Sequence, residues 1–455
     1  MSEMPVLPTP VEARPPAAPP VPGNLRDTGL SAEAVIDLLL KTMYLQGAKT
    51  GQQLTEEVRL PFSLLDDLLL SLQQRMLVEV RGTRGHSRGG YVFDLTGSGR
   101  DRAREALGSS QYVGPAPVPL DQFRHWIALQ SIRNVRITRD RLREGFRDVV
   151  MGDDLFDRLG PAVNAARSLF LHGEPGNGKT LIAEAIARMV GGAIYLPYAI
   201  DVNGHTLVVH DPVYHRPAPG PAPGTVPGGG PEWLRREPEH DARFARVSRP
   251  LVITGGELTL DQLDLQYDPH TKLYQAPFQL KACGGILIID DFGRQRVPAA
   301  DLLNRWIVPL EKSVDFLTLH TGAKFPVPFD CMLVFSTNLA PDQLVDEAFL
   351  RRIQYKIHVP DPTRERYDEI FRRCCAERGI AFDAGAVDYI YREYYGARGF
   401  PTRACHPRDL LDHLIAAATF FDRPPELSEE LIDHACQTYF LGMAAGKEGT
   451  PAGGR

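Results

Sequence analysis

Two stretches of this 455-residue chain carry side chains typed and spaced for phosphate and metal chemistry. The first reads Gly173-Glu174-Pro175-Gly176-Asn177-Gly178-Lys179-Thr180 and continues into Leu181. An apolar run, residues 168–171, enters it, and the helical pattern LIAEAIARMV leaves it. That is G-x-x-x-x-G-K-T between a strand and a helix, the pattern of a phosphate-binding loop (P-loop). Its glycines let backbone N–H groups turn toward phosphate oxygens, and the helix N-terminus adds partial positive charge. Lys179 is expected to reach the β- and γ-phosphates, and the Thr180 hydroxyl to ligate Mg2+. The second stretch, ILIIDDFGR, drives an apolar run into Asp290 and Asp291. Its continuous apolar residues predict a buried parallel strand, and ligands in such sheets sit beyond the carboxyl ends of the strands. Asp290 is thereby predicted to hold Mg2+ through water, and Asp291 to act as general base toward an attacking water. Adjacent carboxylates repel each other, but a nearby Mg2+ favours ionisation of both.

The elements that must position these groups follow from composition and periodicity. Residues 1–23 are Pro/Ala-rich and expected to be a disordered tail. Residues 28–110 predict a compact module: Ser31 caps the helix AEAVIDLLLKTMYLQ, a short helix spans TGQQLTEEV, and Pro61 opens PFSLLDDLLLSLQQRM. LVEVRG and GGYVFDLT alternate as a hairpin, and SGRDRAREAL closes the unit, an α+β layout similar to a winged helix. Residues 111–121 read as a linker. Residues 122–360 predict an α/β nucleotide-binding domain, helical and arginine-rich at first, then alternating strands and helices. It is interrupted near 210–231 by a Pro/Gly-rich insertion. Residues 361–443 read as a helical domain and 444–455 as a flexible tail.

Taken together, the motifs resemble those of the AAA+ ATPases, and the likeness extends over residues 140–440. The resemblance implies an α/β P-loop AAA+ parallel sheet with a helical lid at 361–443, binding ATP and Mg2+. LVFSTN looks like sensor 1, which would place Asn338 against the γ-phosphate or the attacking water. The segment 346–353, DEAFLRRI, resembles the family's "D-x-A-L-L-x-R-F". By that match Arg352 is the arginine finger offered to a neighbouring subunit, with Arg351 as the fallback. ACHPRDLL resembles the sensor 2 helix, with Arg408 reaching the phosphates from the lid. Val149 and Val150 fall in the segment that lines the family's adenine pocket. FLTLHTGAKF reads as a hairpin just before sensor 1, similar to the pre-sensor-1 hairpin group that includes MoxR-like remodellers. That group's enhancer-binding activators carry a GAFTGA loop, absent here. The family usually places Glu where this chain has Asp291. A carboxylate one methylene shorter implies slower hydrolysis.

Bulk properties narrow the setting. The formal net charge of −6 gives no general pull toward nucleic acid or anionic membrane. No apolar run approaches the roughly 20 residues that span a bilayer, and the N-terminus lacks the apolar core of a secretory signal. The six cysteines make no disulfide framework, and a cytoplasmic location is expected. Cys374, Cys375, Cys405 and His406 sit in helical context and are expected in the core. His205, His210 and His215 recur every five residues, a spacing that matches no zinc pattern. Glu311, Lys312 and the arginines of RITRDRLREGFR read as solvated surface. Residues 24–110 hold 11 Lys/Arg against 11 Asp/Glu, and the third helix carries Asp66 and Asp67 with no basic residue before Arg75. That suits a protein-docking module better than a DNA reader, although Arg81, Arg84 and Arg88 sit on the wing. The expected activity is ATP hydrolysis by a homo-oligomeric ring, a hexamer, that remodels a protein partner recruited by the N-terminal module. The alternative is an ATP-dependent regulator that binds DNA through that module.

Overall fold

The computed structural model describes residues 18–85, 87–219, 240–340 and 351–444. Outside these lie most of the 1–23 tail, the 220–231 part of the insertion, residues 346–350 of the finger segment, and the tail beyond 444. Ser31 accepts the Ala34 N–H and starts α1 (Ala32–Gln46). Thr50 and Gln53 form a reciprocal capping box that starts α2 (Gly51–Val58). Pro61 stands at the cap, one residue ahead of α3 (Phe62–Gln74). The strands Val78–Thr83 and Tyr91–Leu95 pair antiparallel, and Lys49–Thr50 adds a third strand. Helix α4 (Gly97–Ser109) follows. Leu38, Leu39, Leu65, Leu69 and Leu72 share one buried core, the inward stripes of amphipathic helices.

This core does not stop at residue 110. Tyr112 and Ala116 are buried in it, the Ala116 N–H donates to Val58 O at 2.8 Å, and Val118–Pro119 is a strand. The expected linker is therefore a docked connection, because its backbone polar groups find partners on both sides. Helix α5 (Leu120–Leu129) begins directly after it. Residues 18–23, expected within the loose tail, are likewise packed: Pro19 and Pro22 are buried, and Pro19 O accepts the Asp241 N–H at 2.8 Å.

Five parallel strands form the central sheet: β1 (Ser168–His172), β2 (Leu251–Thr254), β3 (Ile286–Ile289), β4 (Met332–Thr337) and β5 (Tyr355–His358), in the order β2-β3-β4-β1-β5. Their uninterrupted apolar runs are explained by cover on both faces. One core packs Leu169, Ile288 and Val334 against the helix α6 (Lys179–Val190), and another packs Phe170, Phe292 and Phe335 against Trp306 of α7 (Ala299–Lys312). Register places Thr337 beside His172 and Ile289 beside Phe335, so the ends of β1, β3 and β4 open at one edge.

Four strands from the long gap between the phosphate loop and β3 join one from ahead of that loop in a second five-stranded sheet. It runs Gln266–Asp268, Leu273–Gln275, His205–Val208, Ala199–Val202 and Val118–Pro119. The start of the Pro/Gly-rich insertion is built into the fold. His215 Nδ1 accepts the Asp211 N–H at 2.7 Å while its Nε2 donates to Lys281 O at 2.8 Å, and Pro217 bridges to Val247. The hairpin Val314–Thr318/Lys324–Pro328 forms in register about a turn with Gly322 at φ 85°. Its Leu317, Phe325 and Val327 are buried with Phe123 and Ile127 of α5.

Arg243 joins these parts. Fully buried, it is bound to both Asp241 carboxylate oxygens and donates to Thr28 O at 2.9 Å, Pro117 O at 3.5 Å and Gln122 Oε1 at 3.4 Å. The lid contains α8 (Arg364–Arg378), the short helix Ala384–Ile390, α9 (His406–Phe420) and α10 (Glu429–Ala444) around Tyr367, Phe371 and Leu411. Within it His406 stacks on Tyr395, whose hydroxyl lies 2.9 Å from His406 Nδ1. Among the described residues, no helix is long and apolar enough to cross a membrane.

Buried ionisable groups make the stability of this fold testable. Replacing Arg243 with Ala leaves Asp241 buried and unpaired, so a loss of about 3–5 kcal/mol is expected in denaturant unfolding. Arg243→Ala with Asp241→Ala should cost less than the single change. Burial holds His406 and His215 neutral, with pKa values pushed down to about 4 from 6.5. The unfolded chain therefore binds these protons first as pH falls. The stability they contribute is complete above about pH 6.5, is lost progressively toward about pH 4, and amounts to a few kcal/mol each. The unfolding midpoint should fall across that window, and less steeply in a His406→Phe chain.

Candidate functional site

The ends of β1, β3 and β4 and the start of the lid enclose a cavity of about 710 Å³. The phosphate loop forms its floor. Gly173 has φ 146°, and a Cβ there would come 2.3 Å from Val359 O. Gly176 has φ 83°, and a Cβ there would come 2.5 Å from Cys405 Sγ. Only glycine fits either position. Gly178 caps α6, and Pro175 and the half-exposed Leu181 line the cavity.

Lys179 is only 6% exposed, and three acceptors meet its ammonium: Gly173 O and Glu174 O at 2.9 Å each, and Asn338 Oδ1 at 2.6 Å. Burial lowers its pKa, opposed by the charges of Asp290, Asp291 and Glu174. Asn338 also donates through Nδ2 to Asp291 Oδ1 at 3.2 Å. The Thr180 hydroxyl donates to Asp290 Oδ2 at 2.9 Å. A hydroxyl beside a carboxylate, with a second carboxylate on the same cavity wall, is a hard oxygen donor set that fits Mg2+. Val149 and Val150 line both the main cavity and a smaller adjoining chamber of about 40 Å³ walled by Ile182, Val359 and Ile370.

Arg408 reaches the cavity wall from the lid and pairs with Asp409 at 2.9 Å, a contact that raises its pKa. Arg352 does not line the cavity. It binds Glu311 at 2.6 Å, so Glu311 is an ion-pair partner and not merely solvated surface. Arg351 is exposed. The cysteines divide differently from expectation. Cys375 is core, but Cys374 and Cys405 line the cavity, their thiol pKa values raised by burial. The lid helices that carry them face the phosphate loop, a placement their local pattern does not encode.

Sequence reasoning missed the ties that seat the lid on the loop. Arg403 bonds to Asp361 and, at 3.0 Å, to Glu174. Asn177 donates to Asp361 Oδ1 at 2.6 Å and accepts the Ala404 N–H at 3.2 Å. The Cys405 N–H donates to Gly176 O at 2.9 Å. If these contacts set the height of the lid, Arg403→Ala should weaken ATP affinity by about three- to tenfold, as expected for a lost charge-assisted bond. Arg403→Lys should fall between Arg403→Ala and the parent chain. Titration with a fluorescent ATP analogue measures this directly.

Residues 363–438, within the lid, match a family model described as a domain of unknown function, DUF8689. No curated protein matches the chain. Among solved structures, the chain is similar to the Thermotoga maritima RuvB Holliday junction branch migration motor, at 14% identity over 66% of this chain and 73% of that one, with a TM-score of 0.37. It is also similar to NtrX from Brucella abortus, at 14% identity over 64% of this chain and 57% of that one, with a TM-score of 0.38. A MarR family regulator from Neisseria meningitidis overlaps 16% of this chain and 52% of its own length, at 21% identity and a TM-score of 0.16. The fold itself stands on strand order and on the loops at the ends of β1, β3 and β4: an α/β P-loop domain on a five-stranded parallel sheet, with a helical lid.

Proposed function

We propose that this chain binds Mg-ATP in the 710 Å³ cavity and hydrolyses it as a homo-oligomeric ring, a hexamer, to remodel a protein partner. One observation carries the reading: Lys179, Asn338 and Asp291 form a connected row beside the Thr180–Asp290 pair, at the carboxyl ends of β1, β3 and β4. Phosphate oxygens would take the place of Gly173 O, Glu174 O and Asn338 Oδ1 around the Lys179 ammonium. Backbone N–H groups of residues 173–180 and the start of α6 would hold the β-phosphate. Thr180 and Asp290 would hold Mg2+, which when bound supplies positive charge against the phosphates. Asp291 would accept a proton from the attacking water, and Asn338, already bonded to Asp291, would orient that water. Arg408 would contact the phosphates from the lid, and Val149 and Val150 would pack on the base. Arg352 would exchange Glu311 for the neighbouring subunit's ATP.

Charge pairing in the N-terminal module favours a protein partner over DNA. Arg75 is paired with Glu33, Arg81 with Glu79 and Asp94, Arg88 with Asp66, and Arg102 with Asp37. A phosphate backbone would have to displace these carboxylates. The DNA-binding regulator remains the second reading because Arg84 stands exposed on the wing. Specific, salt-sensitive gel-shift binding would favour it.

Lys179→Ala should abolish ATP binding, and tight binding by that variant would sink the site. Arg352→Ala should keep ATP affinity while lowering turnover by about 10³-fold, the scale of a finger supplied by a neighbour. Turnover per chain should rise with protein concentration in the parent chain. A concentration-independent rate would refute the shared site.

A further inference from the structure

Strand geometry alone should separate Asp290 from Asp291. Successive side chains on a strand point to opposite faces, yet both of these carboxylates line the same cavity. The backbone resolves the conflict by turning left-handed at Asp291, at φ 48°. Asp tolerates that region better than most residues, but it is not where a chain rests unaided. Something must hold the turn.

The fixed end of the turn is Phe292. Its ring is fully buried against Phe170 and Phe335, its N–H donates to Ser336 O at 2.7 Å, and its carbonyl accepts the Thr337 hydroxyl at 2.7 Å. At the movable end the Arg294 N–H donates to Asp291 O at 3.0 Å and the Asp291 N–H donates to Asp290 Oδ1 at 3.0 Å, and one side chain from beyond the aspartate pair closes it. Gln295 Nε2 donates to Asp290 O at 3.0 Å and reaches Asp291 O at 3.3 Å and Gly255 O at 3.4 Å, while its Oε1 accepts the Gly293 N–H at 2.8 Å. The amide thus grips the peptide groups on both sides of Asp291 and ties them to the loop that leaves β2. No other side chain bonds both of these aspartate carbonyls among the described residues.

We infer that Gln295 is the positioning residue for Asp291: its amide holds the left-handed turn that brings the shorter carboxylate onto the phosphate side of the cavity. The inference rests on the proposed hydrolytic role of Asp291. The family's longer glutamate could reach the attacking water from a looser backbone. This chain does it with backbone geometry instead, and that geometry depends on an amide that is both donor and acceptor.

The test is ATP turnover and ATP affinity of the full chain in Gln295→Ala and Gln295→Glu, each alone and combined with Asp291→Asn. Gln295→Ala should lower kcat at least about tenfold and leave ATP affinity within about twofold, because only the group facing the water is displaced. Gln295→Glu keeps the shape but turns an acceptor toward two carbonyls, so it should be no better than Gln295→Ala. In the Asp291→Asn background, removing Gln295 should change kcat by less than about twofold, since a group acting through another adds nothing once that other is gone. An unchanged kcat in Gln295→Ala, an equal loss in both backgrounds, or a parallel loss of ATP affinity overturns the inference. A parent chain that binds ATP without turnover overturns the hydrolytic role of Asp291 and the inference with it. A parent chain that binds no ATP overturns the site.

Discussion

A lysine ammonium held out of water is the group on which the rest of the site depends. Lys179 is buried, and a buried charge must have partners or lose its proton. The protein supplies two loop carbonyls, the Asn338 amide and the fields of Asp290, Asp291 and Glu174. These partners come from different pieces of chain. Satisfying one cation therefore brings the phosphate loop, the end of β3 and the end of β4 to one point. The same contacts describe what a polyphosphate has to displace: two loop carbonyls and one amide oxygen.

Around that point the molecule is braced from two sides. The lid is tied to the phosphate loop through Arg403, Asp361 and Asn177. On the other side, Arg243 binds the N-terminal module, the 111–121 connection and α5 into one buried polar cluster. The hairpin before β4 is not a free arm. Its apolar residues are packed with α5, and Arg124 of that helix bonds to Pro326 O. Helix α5 and the hairpin thus share one apolar core just ahead of the strand that leads into Asn338.

Much of this was legible in sequence where the cause is local. The phosphate loop, the Ser31 cap, the hairpin about Gly322 and the buried strand ending in Asp290 each follow from residues within a few positions of one another. What was not legible depends on distant partners. Arg403 and Glu174 are separated by 229 positions, and Arg243 and Thr28 by 215. The 111–121 segment looks like a linker because its composition is that of one, and only its neighbours across space make it part of a core. Cys374 and Cys405 look like core thiols because a helix-facing cysteine and a cavity-facing one share the same local pattern. Gln295 is an intermediate case, since its partners at 290, 291 and 293 are close in sequence. Its role shows only once the left-handed turn at Asp291 is known.

The central claim is that a polyphosphate replaces the internal partners of Lys179. A structure of the chain with Mg2+ and a non-hydrolysable ATP analogue measures this most directly. Lys179 Nζ should leave Gly173 O and Glu174 O for the β- and γ-phosphates, with Asn338 and Asp291 facing the terminal phosphate. An analogue bound elsewhere, or Lys179 still bonded to both loop carbonyls beside a bound analogue, would contradict it.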